Sequence, residues 1–241
     1  MAQRTALITG ATSGIGLGAA RHLTDAGWTV WVTGRSLAKA EAAADQAGGR
    51  PLQLDVTDAA SIAAAAGTVA ELDALVNNAG VQPDFGIGLL EAGAEVFRES
   101  YETNVFGVAQ VTNAFLPALR RSPAPRILNV SSGTSSFTWS TGPNPQFDHE
   151  RAASSGGRFA VYRSSKTALN MLTLLYAQAL DGDGIKVNAL APGARKTNLN
   201  PAMDRGADAD EASSAIRTLL ELPADSPTGV LFSYDGTIAP W

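Results

Sequence analysis

Short apolar runs alternate with stretches of helical periodicity along the chain. Residues 5–9 form an apolar run typical of a buried strand, and Ile15, Ala19, Leu23 and Ala26 then recur at helical spacing. The alternation continues, and it predicts further strands at 28–33, 51–55, 73–77, 126–131, 185–190 and 229–233. Helices are predicted at 36–47, 57–72, about 105–119, about 168–179 and 210–221.

Strands that alternate with helices over short connections form a parallel sheet with helices on both faces. No linker or shift in composition divides the 241 residues. We therefore predict one α/β domain with a doubly wound sheet of about seven strands. The stretch 133–160 is rich in Ser, Gly, Thr and Pro and lacks sustained periodicity, so we interpret it as an insertion.

Composition narrows the possible functions. Apolar residues make up 45% of the chain and charged residues 17%, which excludes a disordered chain. The net charge of −5 and the absence of long basic runs argue against binding to nucleic acid. Without cysteine and with only two histidines, a thiolate or His-rich metal centre is excluded. No apolar stretch is long enough for a membrane span or a secretory signal, so we expect a cytoplasmic protein.

A glycine-rich turn lies between the first strand and the first helix. Gly10, Gly14 and Gly16 are spaced as G-x-x-x-G-x-G, which differs from the G-x-G-x-x-G of the long-chain dinucleotide enzymes. Such glycines let backbone N–H groups approach a phosphate, and the helix N-terminus adds partial positive charge. The turn indicates dinucleotide binding, although a strand-to-helix turn that needs flexible residues is the simpler alternative.

The second predicted strand ends in Gly34 and Arg35, where a dinucleotide fold contacts the adenosine ribose. A carboxylate at this point would bind a free 2′-hydroxyl and repel a 2′-phosphate. Arg35 can instead pair with a phosphate through its planar fork, so the sequence favours NADP(H) over NAD(H). The alternative is that Arg35 is an ordinary surface charge.

These and further motifs resemble the short-chain dehydrogenase/reductase family in the same order over nearly the whole chain. The motifs are the turn at 9–16, Leu54-Asp55-Val56, the Asn-Asn-Ala-Gly motif at 77–80, Asn104, Ser132, Tyr162-x-x-x-Lys166, Pro192-Gly193 and Thr197. The resemblance implies a Rossmann fold and the catalytic residues Asn104, Ser132, Tyr162 and Lys166. It also implies a cofactor site, to which we add Arg35 because of its position at the end of the second predicted strand. The residues of this site are Gly10, Thr12, Ser13, Gly14, Ile15, Gly16, Arg35, Asp55, Val56, Asn78, Ala79, Gly80, Tyr162, Lys166, Pro192, Gly193 and Thr197.

Tyr162 and Lys166 are four residues apart, so on a helix they share one face. An ammonium beside a phenol should favour the phenolate, and desolvation opposes this effect. We predict that the pKa of Tyr162 falls by about two from its usual value near 10, which suits a general acid in carbonyl reduction. Ser132 is expected to donate a hydrogen bond to the substrate oxygen. By resemblance, Lys166 also holds the nicotinamide ribose, and Asn104 orders a water that relays protons to Lys166.

One feature departs from the short members of the family. Ser132 and Tyr162 are 30 positions apart, because the insertion lies between them. A longer insertion here, and the ending of the chain, resemble the carbonyl-reductase branch, in which the insertion favours monomers. The shorter insertion here leaves monomer and homodimer both open. The insertion is either a mobile surface loop or a wall of the substrate pocket, through Phe137, Trp139 and Phe147. The polar stretch 194–209 is interpreted as a substrate lid.

The leading hypothesis is an NADPH-dependent reductase of a ketone or aldehyde, reversible as an alcohol dehydrogenase. Two alternatives remain: an NAD-dependent alcohol dehydrogenase, and a regulator that binds NADP(H) without turnover. No charged cluster in the insertion or the lid indicates an acidic or basic substrate, so we expect a fairly apolar pocket.

Overall fold

The computed structural model describes residues 3–197, 199 and 206–241. Its strands, in chain order, are β1 Thr5–Ile8, β2 Thr29–Gly34, β3 Arg50–Gln53, β4 Ala74–Asn77, β5 Arg126–Val130, β6 Lys186–Ala191, β7 Leu231–Ser233 and β8 Ile238–Ala239. Its helices are α1 Gly14–Asp25, α2 Leu37–Ala47, α3 Ala59–Thr68, α4 Ala94–Tyr101, α5 Val108–Leu119, α6 Phe137–Thr141, α7 His149–Ala153, α8 Ala160–Ala179 and α9 Ala209–Leu220.

One sheet contains all these strands in the order β3-β2-β1-β4-β5-β6-β7-β8. Strands β1 to β7 are parallel, which confirms the predicted doubly wound α/β fold. The eighth strand, Ile238–Ala239, pairs antiparallel with β7, so the predicted number of about seven was one too few. Two residues are too few for strand periodicity to reveal them.

The position of β1 in the sheet determines where a ligand can bind. Strand β1 connects through α1 to β2 on one side, and its neighbour β4 connects through α4 and α5 to β5 on the other. The connections therefore leave the carboxyl ends of β1 and β4 in opposite directions. Such a switch point opens a crevice beyond the ends of the strands, which is where open α/β sheets bind ligands. The glycine-rich turn follows β1 directly.

An apolar core lies on each face of the sheet. Helices α1 and α9 cover one face, where Leu23 and Ile216 are fully buried. Helices α3, α5 and α8 cover the other, where Phe115 and Leu119 are fully buried. Within the described residues, no helix has the combination of length and hydropathy that a membrane span requires.

The predicted helix at 105–119 is interrupted near its start. Its predicted buried face is confirmed, since Val108 and Phe115 are buried. A π-helical turn at Glu102–Gly107 separates α4 from α5, however. Such a widened turn is frequent at functional sites, and Asn104 lies within it.

The insertion, in which the sequence shows no sustained periodicity, contains regular structure. It forms a 3₁₀ turn at Gly133–Ser135 and the five-residue helices α6 and α7, which are too short to produce a periodic pattern. Trp139 of α6 is buried against Ala189 and Ala191 of β6. The insertion is therefore anchored on the carboxyl end of the sheet, above the crevice.

Candidate active site

The glycine-rich turn passes very close to the loop that follows β4. Gly10 has a φ of +63°, and a Cβ added there would lie 2.9 Å from the Cα of Ala79. Gly14, at the start of α1, has a φ of +55°. Both positions therefore favour glycine, because a side chain would strain the backbone and, at Gly10, collide with Ala79.

Asn78 ties this loop to the turn. Its Nδ2 donates to the carbonyl oxygens of Thr9 at 2.9 Å and Gly10 at 3.1 Å. Thr9 Oγ1 in turn accepts from the backbone N–H groups of Asn78 and Ala79, each at 3.0 Å. A Cβ at Gly16 would lie 2.5 Å from Asn78 Nδ2, so Gly16 makes room for this side chain. Gly16 was predicted to contact the cofactor, but it is absent from the lining of the groove described next.

A groove of about 490 Å³ runs along the carboxyl ends of β1, β2 and β4. The predicted cofactor residues that line it are Gly10, Thr12, Ser13, Gly14, Ile15, Arg35, Asp55, Val56, Asn78, Ala79, Gly80, Tyr162, Lys166, Pro192 and Thr197. Gly193 lies outside the groove and lines a neighbouring cavity instead. The structure thus brings together all but two of the residues that the sequence assigned to the cofactor.

Tyr162 and Lys166 share one face of α8, as predicted from their spacing. The Lys166 ammonium is buried, donates to the carbonyl oxygen of Val130 at 2.8 Å, and lies 5.8 Å from the centre of the Tyr162 ring. A Cβ at Gly80 would lie 3.5 Å from Lys166 Nζ, so the absence of a side chain there leaves the ammonium open to the groove. Lys166 can therefore act on both the phenol and a ligand in the groove.

Ser132 lies at the end of β5, where its extended backbone precedes the 3₁₀ turn. Its Oγ accepts the backbone N–H of Thr134 at 3.2 Å and lies 2.9 Å from Thr134 Oγ1. With Oγ held as an acceptor, its own proton can be donated to a substrate oxygen. Ser132 and Tyr162 both line the neighbouring cavity, as the predicted pair requires.

The predicted decrease in the pKa of Tyr162 is wrong for this structure. Burial raises the pKa of Tyr162 to about 12, while a hydrogen bond with Ser132 lowers it and the Asp84 carboxylate raises it further. Burial also lowers the pKa of Lys166 to about 8. The error was to give desolvation too little weight, because both groups are enclosed and the ammonium interacts first with a backbone carbonyl.

Asn104 is fully buried and fastens the π-helical turn to its surroundings. Its Nδ2 donates to the Val81 carbonyl at 2.9 Å, the Ser165 hydroxyl at 3.0 Å and the Ser100 hydroxyl at 3.2 Å, and its Oδ1 accepts from Val81 N–H at 2.9 Å. A Cβ at Gly80 would lie 3.3 Å from Asn104 Oδ1 and 3.5 Å from Lys166 Nζ. Asn104 therefore lies beside the lysine, and the proton relay through it stays a prediction.

Asp84 is a candidate positioning residue that the sequence did not reveal. Phe159 occupies the position before α8 with a φ of +62°, and its side chain cannot cap the helix. Asp84 Oδ2 accepts instead from the backbone N–H groups of Val161 at 2.9 Å and Tyr162 at 3.1 Å. No signal in the sequence indicated it, because the helix was predicted only from about 168, whereas α8 begins at Ala160, 76 positions after Asp84.

We expect Asp84→Ala to weaken both stability and turnover. Two buried N–H groups lose their acceptor, which costs about 2 kcal/mol and lowers the Tm by roughly 4–8 °C. Displacement of Tyr162 should also lower kcat roughly tenfold, and Asp84→Asn, which keeps the acceptor, should restore much of kcat. The measurements are thermal unfolding and steady-state kinetics.

The control for this pair is Asp58→Ala, which removes the cap of α3 from Ala60 N–H. It should lower the Tm without changing kcat. If Asp84→Ala and Asp58→Ala lost stability alike and both kept full kcat, Asp84 would have no role in positioning the tyrosine.

The insertion encloses a second cavity of about 580 Å³ that joins the groove at Tyr162. Phe147 lines this cavity, whereas the buried Trp139 and the 71% exposed Phe137 are absent from its lining. The position of Phe147 supports the interpretation of the insertion as a pocket wall. The cavity is also lined by Arg151, Arg158, Arg163 and Arg195, which no charged cluster in the sequence had indicated. These arginines are spread over 45 positions and meet only in the folded chain.

The predicted lid at 194–209 lies partly outside the described residues, at 198 and 200–205. Its two ends are joined: Lys196 N–H donates to the Ala207 carbonyl at 3.0 Å, and Ala207 N–H donates to the Ala194 carbonyl at 3.1 Å. The Arg195 guanidinium binds Glu211 at 2.6 Å. Thr197 and Leu199 line both the groove and the second cavity.

The sheet is doubly wound, a glycine-rich turn lies at its switch point, and a Ser-Tyr-Lys cluster lies beside that turn. Together these features define a class of dinucleotide-dependent oxidoreductase. Comparison with known proteins gives the same class. The family model described as short chain dehydrogenase matches residues 4–144 and 151–208. The chain belongs to the short-chain dehydrogenase/reductase family, whose members are oxidoreductases that use a nicotinamide cofactor.

Individual relatives cover nearly the whole chain. The short-chain dehydrogenase anuI of Penicillium roqueforti is 34% identical over 96% of this chain and 94% of its own. Among solved structures, the NADPH-bound carbonyl reductase from chicken fatty liver is 28% identical, covers 100% of both chains and has a TM-score of 0.84. The 3-ketoacyl-(acyl-carrier-protein) reductase of Brucella melitensis complexed with NADH is 27% identical over 95% of this chain and 96% of its own, with a TM-score of 0.81.

Proposed function

We propose that this protein is an NADPH-dependent reductase of a ketone or aldehyde, reversible as an alcohol dehydrogenase. The observation that carries the proposal is the position of Tyr162, which lies where the groove and the second cavity meet. Ser132 reaches the same junction from the cavity and Lys166 reaches it from the groove. A carbonyl placed there faces a phenol and a serine hydroxyl on one side and the groove on the other.

The groove fits a dinucleotide phosphate in three respects. Gly10 and Gly14 permit close approach to the backbone, and the N-terminus of α1 provides partial positive charge for a pyrophosphate. Gly34 lies against Thr12, and the exposed Arg35 lines the end of the groove, where it can receive a 2′-phosphate. When bound, NADPH supplies the hydride that reduces the carbonyl carbon. We assign the cofactor contacts to the groove residues named above.

In this mechanism the chain's own residues control the carbonyl oxygen. Ser132 donates a hydrogen bond that stabilises the charge developing on the oxygen. Tyr162 then transfers its proton to the same oxygen, which completes the alcohol. A raised pKa keeps the phenol protonated at neutral pH, as a proton donor must be. The Lys166 ammonium stabilises the phenolate that remains.

The rate of reduction should depend on the charge of Lys166. Because burial lowers its pKa to about 8, the lysine is cationic below that pH and neutral above it. We expect kcat for reduction to be level in the neutral range and to fall as the pH rises through about 8. The measurement is a pH–rate profile in the direction of reduction.

Lys166→Met provides the comparison for that profile. The variant should be slow at every pH and lack the inflection, since it has no group to lose a proton there. A wild-type profile that stays level well above pH 8 would show that the charge of Lys166 does not support turnover.

A carbonyl panel tests the proposed function. The purified protein is mixed with NADPH or NADH and with ketones and aldehydes of varied size and charge, and oxidation of each cofactor is followed by absorbance. The proposal expects consumption of NADPH in preference to NADH. Preference for NADH would support the NAD-dependent alcohol dehydrogenase, and NADPH bound but never consumed would support the non-catalytic regulator.

A further inference from the structure

The wall of the second cavity carries more positive than negative charge. Four arginines line the cavity, and Asp148 is its one carboxylate among the described residues. Arg195 is neutralised by Glu211 and stacks on Tyr234 with its guanidinium 4.2 Å from the ring centre. Asp148 Oδ1 is already occupied, because it caps α7 by accepting the backbone N–H of Arg151 at 3.0 Å.

Among the described residues, Arg151, Arg158 and Arg163 therefore have no matching anion. None of these three guanidinium groups forms an ion pair with a carboxylate in the part of the chain that the structure describes. Arg151 and Arg158 are exposed at the cavity, one on α7 and the other shortly before α8. Both belong to the insertion that separates Ser132 from Tyr162.

Arg163 shows that this charge belongs to the cavity wall and is not merely a solvated surface. It follows Tyr162 directly in α8 and is half-buried. Its guanidinium donates to the Ser140 hydroxyl at 2.9 Å and to the Thr134 carbonyl at 3.4 Å, both of which are neutral acceptors. Burial lowers the pKa of Arg163, which is the expected cost of desolvating a cation without a counter-ion. An anion in the cavity would offset this cost.

The rest of the lining is suited to an uncharged substrate body. Ile15, Phe147, Phe159 and Pro192 give the cavity apolar walls next to Ser132 and Tyr162. A ligand that fits these features has an apolar part, a carbonyl at the tyrosine and an anionic group at the arginines. The planar fork of arginine matches a carboxylate in two parallel hydrogen bonds.

We propose that the substrate is a carbonyl compound that bears a carboxylate, which Arg151 and Arg158 bind at the insertion while the carbonyl lies between Ser132 and Tyr162. The proposal rests on the proposed reduction for its chemistry. The anion site itself can be measured without turnover.

The test uses ω-benzoylalkanoates of increasing chain length as ketone probes, each compared with its methyl ester. We expect the wild-type protein to prefer at least one acid over its ester by about tenfold or more in kcat/KM, the effect of a charge-assisted hydrogen bond. Arg151→Gln/Arg158→Gln should lose this preference, because kcat/KM falls by a larger factor for the acid than for the ester. The charge-matched control is Arg120→Gln/Arg121→Gln at the far end of α5, which should keep the preference.

A second readout separates this proposal from the proposed function. Binding of the same acids and esters to NADPH-loaded Tyr162→Phe is measured by calorimetry, where no turnover is needed. The anion site is supported if an acid binds more tightly than its ester and if this difference is lost without Arg151 and Arg158. This holds even if the wild-type protein reduces none of the probes. Equal binding of acids and esters, or a preference that survives in Arg151→Gln/Arg158→Gln, would overturn it, even if the neutral esters are reduced.

Discussion

Tyr162→Phe should reduce kcat for carbonyl reduction by about 10²–10⁴-fold, the usual contribution of a positioned general acid. The substitution removes only the phenolic hydroxyl, so the ring that lines the groove and the cavity remains. Because the hydroxyl is hydrogen-bonded with Ser132, its loss should lower the free energy of unfolding by only about 1 kcal/mol, so the variant stays folded. The measurements are steady-state kinetics and NADPH affinity by fluorescence.

Cofactor affinity is the control within that experiment. Tyr162→Phe should bind NADPH nearly as well as the wild type, since Gly10, Gly14 and Arg35 are unchanged. Loss of both binding and turnover would instead indicate damage to the groove. Retention of the wild-type kcat would exclude the phenol as the proton donor.

Arg35→Asp should reverse the choice of cofactor. The exposed guanidinium lines the groove beside Gly34, where it has no ion-pair partner among the described residues. Loss of a charge-assisted contact and the new repulsion should together lower kcat/KM for NADPH about a hundredfold, while kcat/KM for NADH rises because a carboxylate can bind the 2′-hydroxyl. The measurement is kcat/KM with each cofactor.

Arg121→Asp gives the same change of net charge at the far end of α5 and should leave the cofactor ratio unaltered. If Arg35→Asp retained the wild-type ratio of kcat/KM for the two cofactors, Arg35 would be an ordinary surface charge. The NADPH specificity proposed here would then lose its support.

The local elements of the fold could be predicted because their signals are local. Ser and Asp are preferred at the start of a helix and Gly just after its end. In the structure Ser36 and Asp58 accept from the first turns of α2 and α3, and Gly48 follows α2. The glycine-rich turn and the Tyr162–Lys166 pair likewise depend on spacing over a few residues. The helices of the insertion were missed because five residues give no measurable period.

The substrate side of the site could not be predicted because it depends on long-range contacts. Asp84 caps a helix that begins 76 positions later, and Arg151, Arg158 and Arg163 meet around a cavity that only the folded insertion creates. The prediction for the pKa of Tyr162 was wrong for a similar reason. Spacing indicates that the Lys166 ammonium is near, which lowers the pKa of the phenol. The burial that raises this pKa is a property of the packed chain.

A double-mutant cycle on proton donation tests most directly whether Tyr162 and Ser132 act on one oxygen. Hydride transfer is followed in a single turnover of NADPH-saturated wild type, Ser132→Ala, Tyr162→Phe and the double variant. Because groups that act as a unit are not additive, the double variant should be scarcely slower than Tyr162→Phe alone. Single effects that multiply fully in the double variant would contradict the account, since the two hydroxyls would then act independently.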